Sequence, residues 1–217
     1  MNLSHRAQIF LETLKQSKIK EVFLEGAPPK VEKKDELSAL KKQVVVCTRC
    51  DELVRNRHKV VFGSGHPKAK LVFVGEAPGA EEDRQGLPFV GAAGQLLTKM
   101  IEAIQLRRED VFIANVLKCR PPGNRPPKLQ EIQNCEPYLV RQIELIHPQV
   151  ICALGTFAAQ TLLKTTAPIS SLRGRIHDYQ GIRVICTFHP AYLLRSPGEK
   201  RRAWEDLKRV RALLEPS

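Results

Sequence analysis

Long hydrophobic runs are missing from this 217-residue chain; none approaches the roughly 20 residues that a membrane-spanning helix needs. A secretory leader is not expected either, because MNLSHRAQIFLETLKQSKIK mixes charges through its apolar positions. The chain is therefore expected to be cytoplasmic, with no membrane partner. Acidic residues are scarce as well: 23 Asp and Glu stand against 35 Lys and Arg, for a formal net charge of +12. Such an excess favours a polyanionic partner, since each phosphate neutralised releases counterions, and nucleic acid is the first expectation. There is no internal repeat and no low-complexity segment. What remains is 42% hydrophobic residues, enough for one substantial core in a single domain with modest appendages.

At the N-terminus, Ala7, Phe10, Leu11 and Leu14 recur at helical spacing until Gly26-Ala27-Pro28-Pro29 breaks the pattern. Residues 1–35 thus read as a helical extension and linker, and a short helix follows near 36–45. From Leu71 onward, apolar runs of strand length alternate with helical patterns. LVFVG at 71–75 precedes a helix from about Gly94, and VFIAN at 111–115 precedes one from about Lys128. VICALG at 150–155 has its own helix, and IRVICT at 182–187 precedes a helix near 199–213. Buried parallel strands with crossover helices follow, giving an α/β fold: a three-layer α/β/α sandwich around a mainly parallel four-stranded sheet. RIHDYQGIRVI at 175–185 also reads as a hairpin about Gln180-Gly181, which would make one edge antiparallel.

In such sheets ligands bind outside the carboxyl ends of the strands. The residues there are Gly75 and Glu76, Asn115, Gly155, and His189. A Glu, an Asn and a His converging at one end is more informative than any of them alone.

The chain has six cysteines, and a cytosolic compartment would keep them reduced, so their spacing is the question. Cys47 and Cys50 form a C-x2-C pair, Cys119 follows the second strand and Cys135 lies on the next helix. Four thiolates suit either tetrahedral zinc or a cubane cluster, and spacing does not choose between them. Such a site would clip the N-terminal part to the second βα loop, a structural role. Cys152 and Cys186 fall within strands and read as inert core residues.

GEAPGAEED at 75–83, GLPFVGAAGQLL at 86–97, NVLKCRPPGNRPP at 115–127 and FHPAYLLR at 188–195 together resemble the family 4 uracil-DNA glycosylases, the group with a 4Fe-4S cluster. The resemblance covers about residues 40–213. It implies a glycosylase domain over 36–217, a 4Fe-4S cluster on Cys47, Cys50, Cys119 and Cys135, and removal of uracil from single- or double-stranded DNA to start base excision repair. By the same resemblance the loop from Gly75 holds uracil and the attacking water. Better-known uracil glycosylases carry an aspartate where this chain has Ala77. Glu76 then becomes the first candidate to orient the water or stabilise the cationic sugar, and Glu82 the second.

Phe89 would offer the flipped base an aromatic face. The Asn115 amide suits the N3–H and O4 edge of uracil and would reject cytosine, which presents the opposite pattern. His189 would donate to uracil O2 as charge develops on the leaving base. Leu193 or Leu194 would fill the gap left by the flipped nucleotide, and Lys118, Arg120, Arg125, Arg173, Arg175 and Arg195 are candidate phosphate contacts. A monomer is expected, and residues 1–35 are open to a repair or replication partner although no clamp-binding motif is present. Two other readings compete. One is the relative that traps the sugar through a histidine in an inserted basic loop, but this chain has GEAPG and no insertion after Asn115. The other is a non-catalytic nucleic-acid binder with a structural metal.

Overall fold

The computed structural model describes residues 33–215. The helix and linker expected over 1–35 lie outside that range, save for the residues that open helix α1 (Lys33–Val45). A short helix α2 (Asp51–Asn56) and a two-residue strand β1 (Ser64–Gly65) precede the first of the long apolar runs, which forms β2 (Leu71–Gly75). Helices α3 (Ala80–Gln85) and α4 (Ala92–Ala103) lead to β3 (Phe112–Asn115). Then come α5 (Leu129–Ile146), β4 (Val150–Leu154), α6 (Thr156–Leu163) and α7 (Ile169–Leu172). A hairpin of β5 (Ile176–Tyr179) and β6 (Ile182–Thr187) is followed by α8 (Pro190–Arg195) and α9 (Lys200–Leu214).

The four expected strands lie side by side and parallel in the order β3-β2-β4-β6. Successive side chains of a strand leave by opposite faces, so an unbroken apolar run must be covered on both. Val72, Val74, Ala114, Ile151 and Ala153 pack with α1, α2, α5 and α6; Leu71, Phe73, Ile113, Cys152 and Leu154 pack with α4, α8 and α9. Three layers result. Each buried Leu, Ile, Val or Phe stabilises them by about 1.5–3 kcal/mol. Cys152 and Cys186 are fully buried within β4 and β6, as their strand positions suggested.

The sheet has six strands, not four, because antiparallel strands close both edges: β1 beside β3, and β5 beside β6. The second was legible, since Gln180 and Gly181 take φ of +53° and +83°, a turn whose twist matches the hairpin. The first was not, because two residues carry no period. Gly65 permits it: a Cβ there would stand 1.9 Å from the Val111 carbonyl oxygen.

Candidate active site

The carboxyl ends of β2, β3 and β6 open on one side of the sheet and line a cleft of about 400 Å³. Glu76, Ala77, Glu82, Phe89, Asn115, His189, Arg125 and Arg195, all singled out from sequence, border it. Gly75 lies beneath it, where a Cβ would stand 2.3 Å from Asn115 Oδ1 and 2.6 Å from Phe89 Cζ. The glycine is needed there for space.

Asn115 ends β3 with 1% of its surface exposed, and its Oδ1 is buried with no hydrogen-bond partner. Buried acceptors are rarely left so, and one on a residue that lines a cleft is a candidate ligand group. His189 caps α8: its Nδ1 accepts from the Ala191 N–H at 3.1 Å, which places the ring proton on Nε2. Burial, assisted by the nearby Arg195 charge, pushes its pKa down to about 4, so the imidazole is neutral at pH 7 and still a donor. Gly155 at the end of β4 makes room for it, since a Cβ there would lie 3.0 Å from His189 Cβ.

Glu76 and Glu82 differ in kind. Glu76 is partly buried on the cleft wall, and burial raises its pKa above the usual carboxylate range. Glu82 is tied into the backbone: Oε2 accepts from Gly79 N at 3.1 Å, and Oε1 from Val90 N at 2.8 Å and Gly91 N at 3.0 Å. Those bonds hold the loop that carries Phe89. Arg108 holds it from the other side, its Nη2 donating to the carbonyls of Pro88 at 2.6 Å and Phe89 at 2.9 Å. Between these clamps Phe89 keeps a left-handed φ of +52°, an unfavoured state for a phenylalanine that such bonding can maintain. Its ring centroid lies 5.6 Å from that of His189.

The candidate DNA contacts divide. Arg175 and Arg195 are exposed, and Leu194 is 43% exposed beside the cleft. Arg120 donates to Asn124 Oδ1 at 2.8 Å, and Arg125 is paired with Glu131 at 2.6 Å and Glu52 at 3.1 Å. Arg173 is paired with the buried Asp206 and packs over Phe188, bracing β6 and α9. Two assignments need correction. Leu193 is 1% exposed in the core, so only Leu194 is free to enter a DNA helix. Lys118 is also 1% exposed, and its ammonium donates to the Asn115 carbonyl at 2.7 Å and Gln142 Oε1 at 2.6 Å, so no phosphate can reach it.

Sequence reasoning missed Arg108 and Tyr192. The tyrosine lies within the quoted FHPAYLLR and is exposed on the cleft wall, so the signal was present. Nothing local marks Arg108, whose carbonyl partners on the Phe89 loop lie 19 and 20 residues away.

Cys47, Cys50, Cys119 and Cys135 line one cavity on the α1, α2 and α5 side of the sheet. Their sulfurs accept hydrogen bonds: Cys119 from Arg57 at 3.2 Å, Cys135 from the Lys118 N–H at 3.2 Å and Cys50 from Asn134 at 3.5 Å. Burial raises the Cys135 thiol to about 12. Among the described residues, no three His, Cys, Asp or Glu side chains are grouped to hold a single metal ion.

Residues 62–208 match the family model of the uracil DNA glycosylase superfamily. A type-4 uracil-DNA glycosylase of Archaeoglobus fulgidus is 44% identical over 184 residues, covering 81% of this chain and 92% of that protein. One from Thermotoga maritima is 43% identical over 182 residues, covering 82% and 94%. This chain belongs to the type-4 uracil-DNA glycosylases. Its likeness to a type-5 uracil-DNA glycosylase of Pyrobaculum aerophilum is lower, 31% over 185 residues, covering 70% and 80%. In this type-4 uracil-DNA glycosylase the cleft is lined by the Asn115 amide and the neutral His189 ring, and by Glu76, a carboxylate with no ion-pair partner among the described residues.

Proposed function

We propose that this protein flips uracil out of single- or double-stranded DNA and hydrolyses its N-glycosidic bond without cutting the strand. The observation that carries the assignment is the unpartnered, buried Oδ1 of Asn115, a residue that lines the cleft and whose free acceptor suits the N3–H of uracil. Cytosine offers no hydrogen at N3 and would leave that oxygen unsatisfied, at a cost of about 1–3 kcal/mol.

The reaction follows from the placement of the groups. The base stacks on Phe89 and its edge meets Asn115. As the bond to C1′ lengthens, charge collects on uracil O2, where His189 donates from Nε2. The neutral state of that ring leaves the proton in a hydrogen bond rather than transferred, and uracil departs as an anion. The Glu76 carboxylate faces the cationic sugar and accepts a proton from the water that adds to C1′. Leu194 holds the vacated space in the duplex, and Arg195 and Arg175 contact backbone phosphates. No amine attacks the sugar, so no lyase step follows.

The cysteine set fits a 4Fe-4S cluster better than zinc. Among the described residues no three are grouped to hold a single ion, while the four cysteines line one cavity, and the N–H donors to three of their sulfurs would stabilise thiolate charge. Cys47, Cys50, Cys119 and Cys135 would hold it, and it would supply cross-linking of α1, α2 and α5, a structural rather than a chemical contribution. Iron and sulfide analysis of the purified protein checks this assignment; stoichiometric zinc without iron overturns it.

The assay is alkali cleavage of a uracil-containing oligonucleotide after incubation with the protein, run beside Asn115→Ala. Release by the wild type and its reduction by about 10²-fold or more in the variant supports the proposal. A brown, cluster-loaded protein that leaves uracil in place defeats it.

A further inference from the structure

Helices α4 and α8 form a wall with a cavity on each side. Ala93, Tyr192 and Arg195 border the uracil cleft, and Leu96, Met100 and Leu193 border a second groove of about 190 Å³. The far side of that groove is α9, where Trp204 lies 37% exposed, the only tryptophan in the chain. Lys99 and Lys200 are exposed on its lining, and neither has an ion-pair partner among the described residues. Leu194, 43% exposed, stands in the chain between Leu193, which lines the groove, and Arg195, which lines the cleft.

A flat aromatic ring in an apolar groove, flanked by free cations, is the chemistry that takes single-stranded nucleic acid: bases stack on the ring and phosphates meet the ammonium groups. The groove and the cleft lie on the two sides of one wall, α4 and α8. A strand whose nucleotide is flipped across α8 has its neighbours at Leu194 and, beyond it, at the groove. We propose that this groove receives the DNA strand flanking the flipped uracil, with a base stacked on Trp204 and phosphates on Lys99 and Lys200. The proposal rests on the glycosylase reading and adds a second contact surface to it.

As the sole tryptophan, Trp204 reports on the groove directly. A dye-labelled single-stranded oligonucleotide carrying 2′-fluoro-2′-deoxyuridine, whose fluorine resists loss of the base, is titrated against the full-length protein. Dye anisotropy and tryptophan emission are followed together. Emission is expected to fall saturably over the concentrations at which anisotropy rises. Trp204→Ala is expected to weaken binding by about tenfold. The Lys99→Glu, Lys200→Glu pair should reduce the slope of log affinity against log salt by about 1.4. Single-turnover uracil release at saturating DNA stays at the wild-type rate in both variants, since none of these residues borders the cleft.

Anisotropy that saturates while emission stays constant overturns the proposal and leaves the glycosylase reading intact, as does wild-type affinity in Trp204→Ala. Absence of any anisotropy change overturns both. Acrylamide quenching of the free protein is the remaining arm. If Trp204 is already shielded from it, another segment of this chain or a second copy occupies the groove, and the proposal falls.

Discussion

Lys118 donates its buried ammonium to the backbone oxygen of Asn115 at 2.7 Å, bracing a residue that lines the cleft. The same ammonium donates to Gln142, whose amide in turn donates to the Phe62 carbonyl at 2.8 Å. Lys118 also precedes Cys119, and its backbone N–H bonds Cys135. One residue therefore braces Asn115 at the cleft and lines the cysteine cavity. A buried cation without a carboxylate is costly unless its hydrogens are satisfied, so these bonds are mutually dependent.

Lys118→Met tests that dependence. It removes the donor from two buried acceptors, each worth about 1–3 kcal/mol when left unpaired, and regains part of that by no longer burying a charge. A net loss of about 2 kcal/mol is expected in urea denaturation, with slower uracil release because Asn115 is less firmly held. Unchanged stability together with unchanged rate would show that the ammonium anchors nothing.

The two carboxylates should separate kinetically. Glu76→Gln keeps the cleft's shape and removes the charge, so single-turnover uracil release is expected to fall by about 10²-fold with DNA affinity nearly unchanged. Because burial raises the Glu76 pKa, the wild-type rate should fall with pH at a point above the usual 4.5, and that limb should vanish in the variant. Glu82→Gln loosens the Phe89 loop through three backbone N–H groups. Its signature is weaker binding of uracil-containing DNA with the acid limb retained. Identical profiles for the two variants would contradict the division of roles.

Much of this arrangement was legible because it rests on periodicity. The runs that became β2, β3, β4 and β6 are buried on both faces, and such strands are apolar throughout, so the sheet and the positions at its carboxyl ends could be read directly. The turn at Gln180-Gly181 has its own chemistry and was legible for that reason. What periodicity cannot supply is the phase of a six-residue helix: Leu193 and Leu194 are neighbours in sequence, yet one is in the core and the other in solvent. Nor can it tell Lys118 from its basic neighbours, because a buried ammonium is defined by partners such as Gln142, 24 residues away. Glu82 stood as second candidate behind Glu76 because its three N–H partners depend on how the loop closes.

His189 makes a prediction about stability and pH. Its folded pKa of about 4 lies below the ordinary 6.5, so between those values the unfolded chain binds the extra proton and the folded one does not. Stability linked to this residue is therefore complete above about pH 6.5 and lost as pH falls toward 4, by on the order of 3 kcal/mol. His189→Gln, which cannot protonate, should show a shallower decline in denaturation midpoint from pH 7 to pH 5 than the wild type. Parallel declines would mean that the ring is already charged in the folded protein.

Gly75→Ala separates shape from backbone strain. Gly75 has no left-handed φ, so alanine can adopt its backbone, and the obstacle is space alone. A Cβ would stand 2.3 Å from Asn115 Oδ1 and 2.6 and 2.7 Å from the Phe89 ring, closer than real atoms approach, so the amide or the ring must move. Overpacking of this kind costs about 1–3 kcal/mol, which a stable domain survives. The protein should fold, yet lose its fit for the base. Free uracil is expected to raise the melting temperature of the wild type and leave that of Gly75→Ala unchanged. Gly198→Ala serves as the control, because a Cβ there meets nothing within 4 Å. If uracil stabilises Gly75→Ala as well as the wild type, the base does not bind against Asn115 and Phe89, and the pocket must be sought elsewhere in the cleft.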